Sequence, residues 1–297
     1  MASISLCMIV RNEQEYLQQC LDSVKDLVDE IIIIDTGSTD RTVEIAKNNG
    51  AKVFYYKWDN DFSKARNESL KHATHEWILV LDADETIARK DHLRIKKLLD
   101  ETEYRGFAFV QRSYMNESSP LKWVSAKNDP YDESRNYLGW VYSGITRLFK
   151  NDERIRFEYP VHETVIDSLG RIGGKINQTQ IPIHHFGKLR GKEYVDEKGR
   201  MYLELGKKKA ETLPKATSFF ELAVQAQALK KYDDAIENFK KAIELNPQWA
   251  ACHSNLGILL ARQGKKDEAL KFLQMALSLN PQNKQELERM IIQIKNQ

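Results

Sequence analysis

The sequence predicts an α/β domain with a mostly parallel sheet, followed by an all-α domain of helical repeats. The chain has 297 residues, of which 41% are hydrophobic and 9% aromatic, so it is long enough to bury more than one core. Short apolar runs alternate with helical patterns in its first part. A segment that returns after 34 residues occupies its last part.

The first part reads as βαβ units. The predicted elements are strand Ile4–Val10, helix Glu13–Lys25, strand Ile31–Asp35, helix Thr39–Asn49, strand Lys52–Tyr56, helix Ser63–Ala73 and strand Trp77–Leu81. In parallel sheets, ligands bind beyond the carboxyl ends of strands, where the strand order reverses. The pattern therefore places Arg11–Glu13, Asp35–Asp40 and Asp82–Glu85 along one edge.

Two later strands are predicted at Phe107–Arg112 and Ile145–Phe149. The residues between them, Ser113–Tyr142, contain prolines and many polar side chains, so we expect a long, loop-rich insertion. Loops of this length are usually functional or mobile.

The last part repeats itself. The segment Tyr232–Pro247 returns as Lys266–Pro281 with matching Ala, Leu, Asn and Pro positions. This period is that of the tetratricopeptide repeat. We predict an α/β domain at residues 1–190, a helical linker or cap at 191–215, two repeats at 216–283 and a capping helix at 284–297.

Composition excludes several classes of function. Forty-five basic and 43 acidic residues are well mixed and give a net charge of +2, so nucleic acid is not an expected partner. We find no signal peptide and no apolar run long enough for a membrane span, and expect a cytoplasmic protein. Cys7, Cys20 and Cys252 fit no disulfide or zinc pattern and are expected to be reduced thiols.

An acidic cluster follows the strand Trp77–Leu81. Asp82, Asp84 and Glu85 would repel one another unless a cation or a hydrogen-bonding ligand lay between them. Helix capping accounts for one aspartate, and a calcium loop is excluded because the required Gly and Glu positions are missing. The cluster predicts a divalent-cation site at a nucleotide-binding edge.

The chain lacks the Gly-x-Gly-x-x-Gly turn of dehydrogenases and has no Walker-type phosphate loop. Instead, "CMIVRNEQEYLQQCLDSV", "IIIIDTGSTDRT", "DFSKARNESL" and "WILVLDADE" are similar to the successive motifs of family-2 glycosyltransferases of the GT-A fold. The resemblance covers Ile4 to about Glu85 and continues more weakly to "HHFG". It implies an inverting transfer from a nucleotide-diphosphate sugar, dependent on Mn²⁺ or Mg²⁺.

The resemblance also assigns residues to the donor site. Asp35 matches the strand-end acid that binds the nucleotide, and Asp82 and Asp84 match the Asp-x-Asp motif. Many relatives carry a second Asp where this chain has Thr36, so the nucleoside stays open, with a UDP-sugar favoured. The predicted nucleotide-sugar-binding residues are Val10, Asn12, Glu13, Asp35, Thr36, Arg66, Asp82, Ala83 and Arg147. Arg66 and Arg147 would clamp phosphates; the alternative is that they form surface ion pairs.

Asp84, Asp82, His185 and His184 are the predicted metal ligands, the histidines because relatives of this fold use a His in this region. Adjacent residues of a strand point to opposite faces, so at most one of the two histidines reaches the site.

The predicted base is Glu163, with His162 alongside, because similar transferase–repeat chains show a Val-His-Glu turn after an Arg-Leu-Phe strand. The alternative is that Glu163 caps or salt-bridges a loop.

The acceptor stays open. Similar chains glycosylate Ser, Thr or Cys of peptides or proteins, whereas others build polysaccharide or lipid-linked glycans. The repeats would dock a peptide or protein acceptor or dimerise the enzyme into a homo-oligomer. A different class of function is a non-catalytic repeat adaptor with a decayed nucleotide-binding domain.

Overall fold

The computed structural model describes residues 2–101, 103–117, 123–279 and 284–296, apart from the side chains of residues 188 and 192. The chain forms two compact units, Met1–Gly191 and Lys192–Gln297. They are called the first and the second unit below.

The first unit is an α/β domain built on one sheet. Its strands are β1 (Ile4–Val10), β2 (Glu30–Asp35), β3 (Lys52–Tyr55), β4 (Trp77–Val80), β5 (Glu85–Thr86), β6 (Tyr104–Met115), β7 (Trp123–Ser125), β8 (Gly139–Lys150) and β9 (Lys175–His185). Its helices are α1 (Leu17–Val24), α2 (Thr42–Asn48), α3 (Phe62–Leu70), α4 (His92–Leu98) and α5 (Ile166–Arg171). The predicted α/β fold is confirmed.

The strand order is β3-β2-β1-β4-β8-β6-β9-β5, with β7 paired to β8. The predicted parallel arrangement holds for β1 to β4. The later strands make the sheet mixed, because β8 runs antiparallel to β4 and β6, whereas β6 and β9 are parallel. The chain moves outward from β1 to β3 and then crosses back to β4, so the strand order reverses between β1 and β4.

Burial on both faces explains the apolar runs of β1 and β4. Leu6 and Met8 of β1 join Trp77 and Leu79 of β4 in a core with α1 on one face of the sheet. The alternate residues Cys7, Ile78 and Val80 belong to a second core with Phe149 of β8. Strands buried on both faces carry continuous rather than alternating apolar sequences.

The predicted loop-rich insertion over Ser113–Tyr142 is partly wrong. β6 extends to Met115, β8 begins at Gly139, and β7 pairs with β8; residues 118–122 lie outside the described part. The extended strands are held by aromatic packing, with Tyr114 fully buried against Trp140 and Phe186. The prolines and polar residues around these aromatics concealed the strand pattern.

The second unit contains the helices α6 (Lys192–Thr212), α7 (Ala216–Ala228), α8 (Tyr232–Leu245), α9 (Ala250–Arg262), α10 (Lys266–Ser278) and α11 (Lys284–Lys295). The helices α7 and α8 form one pair and α9 and α10 the next, as the repeat predicts. A Cβ at Gly257 would lie 2.7 Å from Leu273 Cγ, so the small residue lets α9 and α10 approach closely. Residues 280–283, at the end of the second predicted repeat, lie outside the described part.

In the described ranges, no helix combines the length and the apolar character that crossing a membrane requires.

Glu30, at the start of β2, forms hydrogen bonds with three other segments of the first unit. Its carboxylate accepts hydrogen bonds from Ser5 Oγ (2.6 Å), Thr74 N (2.6 Å) and Lys52 Nζ (3.0 Å). Burial of Glu30 opposes ionisation, but these hydrogen bonds outweigh it and lower the pKa of Glu30 to about 2. Because the pKa is lower in the folded than in the unfolded state, the stabilisation is complete above about pH 4.5 and disappears as the pH falls towards 2.

We predict that Glu30→Gln lowers the free energy of unfolding at pH 7 by about 2–3 kcal/mol, because the folded state stabilises the charged carboxylate and the amide is neutral. The difference from wild type should shrink between about pH 4.5 and 2. Urea unfolding followed by tryptophan fluorescence measures it, since four of the five tryptophans lie in the first unit. Glu76→Gln is the control, because Glu76 pairs with Lys150 at a side-chain exposure of 54%. Equal losses in the two variants would contradict the prediction.

Candidate active site

The strands β1, β2 and β4 end at the same edge of the sheet. Val10 pairs with Asp35 across β1 and β2, and β4 runs parallel to β1 on its other side. Asn12 and Glu13 follow β1, and Asp82 to Asp84 follow β4 and lead into Glu85, the first residue of β5. The structure therefore brings together the three segments that the sequence placed at one edge.

The loops after β1 and β2 bind one another. Asn12 has a φ of 55°, a left-handed conformation that asparagine tolerates better than most residues. Its backbone N–H donates to Ser38 Oγ (3.0 Å), and its side-chain Oδ1 accepts from Thr39 N (2.8 Å). Glu13 N donates to Thr42 Oγ1 (2.7 Å). These contacts fix the backbone of the predicted nucleotide-binding residues.

Asp35 is buried and turns towards its own loop. Its carboxylate accepts from Gly37 N (3.1 Å) and Ser38 N (3.1 Å), and Gly37 has a φ of 108° that other residues rarely adopt. A carboxylate offers about four lone-pair sites, so Asp35 keeps capacity for a ligand. Thr36 Oγ1 donates to the carbonyl of Val10 (3.1 Å). Like Val10, Ala83 is buried and presents no polar side chain.

Two buried arginines lie between the carboxylates that follow β4. Arg147 Nη2 contacts Asp82 Oδ2 and Glu85 Oε1, each at 2.8 Å, and Arg66 Nη2 contacts Asp82 Oδ1 at 2.6 Å. Glu85 is fully buried and also accepts from Gln111 Nε2 (2.6 Å) and Asp82 N (2.9 Å). The repulsion that the sequence implied is therefore relieved by guanidinium groups.

Burial opposes the charge on both arginines. The neighbouring carboxylates outweigh this effect, so the pKa of Arg66 is raised by Asp82 and Glu163, and the pKa of Arg147 by Asp82 and Glu85. Arg66 and Arg147 are 5% and 4% exposed, so the alternative prediction of surface ion pairs is wrong about their location. They are ion-paired inside the site.

Arg66 also reaches the predicted base. Its Nε donates to Glu163 Oε1 at 2.6 Å, so one guanidinium joins Glu163 to Asp82. The turn that carries Glu163 is closed by a bridge between Glu158 and Thr164, and the exposed His162 within it has a φ of 51°. Glu163 makes the salt bridge that the alternative prediction expected, but within the acidic cluster rather than in a remote loop.

Asp84 lies on the other side of the cluster. Its Oδ1 is 3.7 Å from His185 Nε2, and its Oδ2 is 3.2 Å from Arg190 Nη2. Arg190 also pairs with Glu13. The antiparallel pairing of β5 with β9 sets Glu85 opposite His185, which brings the histidine to this position. His185 Nδ1 lies 2.9 Å from Ser113 Oγ, so the ring is held on its far side.

His184 points to the opposite face of β9. Its Nδ1 lies 2.6 Å from Tyr114 Oη, and the ring lies beside Tyr131. Burial, with a smaller effect of Arg112, lowers the pKa of His184 to about 3. The structure does not bring His184 to Asp82 or Asp84, so of the two predicted histidine ligands it is His185 that stays a candidate.

Asp84 and His185 fit a divalent cation. A Cβ at Gly187 would lie 2.7 Å from Asp84 Oδ2 and 2.6 Å from His185 Nε2, so the missing side chain leaves space between them. Two ligand atoms about 2.1 Å from one ion lie roughly 3–4 Å apart. Asp84 Oδ1 and His185 Nε2 are 3.7 Å apart. No group of three His, Cys, Asp or Glu side chains in the described residues is arranged to hold a metal. An ion here would complete its shell with phosphate oxygens and water.

The sequence did not single out four residues of this site. Glu85 belongs to the acidic cluster and Gly187 to the segment "HHFG", but the sequence predicted no role for either residue. Gln111 and Arg190 had no motif that marked them. Their contacts join residues 26 to 177 positions apart, which a local pattern does not reveal.

Comparison with known proteins agrees with this organisation. Residues 5–156 match the family model Glycosyl transferase family 2, and residues 215–282 match the model Tetratricopeptide repeat, which confirms the predicted repeats. A TPR repeat-containing protein of Synechococcus elongatus is 43% identical over 169 residues, covering 57% of this chain and 37% of that protein. The SPbeta prophage-derived glycosyltransferase SunS of Bacillus subtilis is 29% identical over 244 residues, covering 81% of this chain and 53% of that protein.

This chain thus spans about a third to a half of the length of these curated relatives. Among solved structures, TarS 1–349 of S. aureus in complex with UDP-GlcNAc has a TM-score of 0.49 and 16% identity, covering 98% of this chain and 92% of that one.

The ion pairs predict a large cost for removing one arginine. Arg147→Met leaves Asp82 and the fully buried Glu85 without their shared cation, and should destabilise the first unit by about 3–5 kcal/mol. Adding Glu85→Gln should recover part of this loss, because one buried charge is removed. Urea unfolding of the single and double variants measures both effects.

The matched control is Arg154→Met, which should cost less than about 1 kcal/mol, because Arg154 is exposed and its partner Asp152 keeps a second ion pair with Arg105. A double variant less stable than Arg147→Met alone would show that the cluster is not held by charge compensation.

Proposed function

Since the chain belongs to glycosyl transferase family 2, we propose that it is an inverting, metal-dependent enzyme that transfers a sugar from a nucleotide-diphosphate sugar to an acceptor. A UDP-sugar is the favoured donor. The observation that carries the proposal is the convergence of Asp35, Asp82 and Asp84 at the carboxyl ends of β2 and β4, beside the point where the strand order reverses.

The nucleoside is proposed to bind where β1 and β2 end. Asp35 has acceptor capacity left for a base or ribose, and the contacts of Asn12 with Ser38 and Thr39 preform the loops around it. Asp82, with a side-chain exposure of 37%, is the more open acid after β4 and is proposed to contact the ribose or a water of the ion.

Asp84 and His185 are proposed to hold Mn²⁺ or Mg²⁺, supported by the space that Gly187 leaves between them. When bound, the ion offsets the negative charge that develops on the departing diphosphate. Arg66 and Arg147 add two fixed positive charges at the same edge. Charges that are already in place stabilise the departing group without reorganisation during the reaction.

Glu163 is proposed to take the proton of the acceptor. A single displacement inverts the anomeric carbon and needs a base on the side of the incoming nucleophile. The bond from Arg66 Nε fixes the orientation of the Glu163 carboxylate relative to Asp82. His162, next to Glu163 in the same turn, is exposed and is proposed to face the acceptor.

The acceptor is proposed to be Ser, Thr or Cys of a peptide or protein that docks on the second unit. A groove of about 420 Å³ between α6, α7 and α8 supports this choice, because Leu203, Phe219 and Leu222 line it. Charged residues at its rim include Lys207, Asp234 and Lys241. A volume of this size accommodates several side chains of an extended segment. Polysaccharide or lipid-linked acceptors are the alternative.

The donor is tested with a panel of nucleotide sugars and Mn²⁺, with nucleoside diphosphate release measured by mass spectrometry. Wild type should hydrolyse one donor slowly, and Asp84→Asn should reduce the rate at least about a hundredfold, because the carboxylate that would hold the ion is lost. Asp132→Asn is the control, since Asp132 forms an exposed pair with Arg135. No turnover, and no rise in melting temperature with UDP and Mn²⁺, would favour a non-catalytic adaptor.

The base is tested with Glu163→Gln. The amide keeps an acceptor for Arg66 Nε but cannot take a proton, so kcat of donor hydrolysis should fall by about 10²–10⁴ with KM changed less than about threefold. Glu158 lies in the same turn and pairs with Arg171. Glu158→Gln should leave kcat within about twofold of the wild-type value. An unchanged kcat in Glu163→Gln would leave Glu163 as a structural partner of Arg66.

A further inference from the structure

Arg190 is a third arginine of the site, and no motif marks it. Its side chain is 7% exposed and bridges two carboxylates, with Nη2 3.2 Å from Asp84 Oδ2 and a second contact to Glu13. The guanidinium lies over the ring of Tyr16, 4.5 Å from its centroid. Glu13 and Asp84 are 13% and 5% exposed and follow different strands, β1 and β4. One cation therefore spans the crevice between these strands.

The Asp84 carboxylate lies between two groups. On one side it faces His185 at 3.7 Å, across the space that Gly187 leaves, and on the other it contacts Arg190. A divalent ion between Asp84 and His185 would lie within a few ångströms of the guanidinium. Two positive groups that close repel each other, most strongly where both are shielded from water.

We propose that Arg190 occupies the cation position of the donor site until a divalent ion displaces it from Asp84, and that it then binds the diphosphate of the donor. Guanidinium forms charge-assisted, bidentate hydrogen bonds with phosphate oxygens, so the released group gains a partner only when the nucleotide is present. Glu13 keeps Arg190 beside the crevice during the exchange. This inference rests on the function proposed above.

The exchange makes the ion and the nucleotide bind as a pair. Without nucleotide, an ion must displace Arg190 and leave it without a phosphate partner, so Mn²⁺ alone binds weakly. With nucleotide, the displaced guanidinium binds the diphosphate, so UDP raises the affinity for Mn²⁺. Because coupling between two ligands is reciprocal, Mn²⁺ raises the affinity for UDP by the same factor.

The test measures Mn²⁺ binding to the full chain from the electron paramagnetic resonance signal of the free ion, with and without UDP. In Arg190→Gln, Mn²⁺ alone should bind about tenfold more tightly than in wild type, because the competing cation is gone. In the presence of Mn²⁺, UDP should bind about tenfold more weakly, because the phosphate contact is lost. The coupling factor should therefore fall.

Arg94→Gln is the matched control, since Arg94, in α4, has its Nη1 2.6 Å from the buried Asp91 and takes no part in the site. It should leave both affinities unchanged. Arg190→Lys keeps the charge but not the fork that spans two carboxylates, and should shift both affinities in the same directions as Arg190→Gln. It provides the same comparison if the Gln variant does not fold in a thermal unfolding scan.

The outcomes separate the two proposals. Wild type that binds UDP with Mn²⁺, together with an Arg190→Gln variant of unchanged coupling, would overturn the role of Arg190 and leave the transferase proposal standing. Wild type that binds neither Mn²⁺ nor UDP would overturn the proposed function, and the inference with it.

Discussion

The first unit depends on the neutralisation of carboxylates that its fold gathers where β1 and β4 end. Asp82 and Glu85 are held by Arg147, and Asp84 is held by Arg190. Each arginine comes from a different part of the chain than the acids it pairs with. An uncompensated carboxylate at this depth would cost several kcal/mol, so the edge is stable only while each buried carboxylate faces a cation.

This requirement explains why the site needs the later strands as well as β1 to β4, which position the acids. The antiparallel pairing of β8 with β4 places Arg147 beside Asp82, and the pairing of β5 with β9 places His185 beside Asp84. A parallel sheet of β1 to β4 alone would expose the acids without their partners. The mixed sheet is therefore part of the site rather than an extension of the core.

The sequence predicted the features that local patterns encode. Continuous apolar runs identified β1, β2 and β4, and the acids at their ends followed from the position where each run stops. Strand alternation predicted that at most one of His184 and His185 reaches the site, but which one depends on the register of β9 against β6 and β5. The ion pairs were not predictable, because they join residues that are 16 to 177 positions apart. The lengths of β6 and β8 were missed because aromatic packing, not alternation, holds their ends.

The charges of the cluster bear on the proposed cation. Five carboxylates and three guanidinium groups are joined directly by ion pairs, namely Glu13, Asp82, Asp84, Glu85 and Glu163 with Arg66, Arg147 and Arg190. If all are ionised, two negative charges remain, which is the amount that one divalent cation neutralises. The ion would bring the cluster to neutrality, and phosphates that bind together with it would meet arginines that no longer face an excess of acid. A buried charge without a partner of opposite sign costs several kcal/mol. The cluster therefore favours binding of the positive ion and the negative nucleotide together.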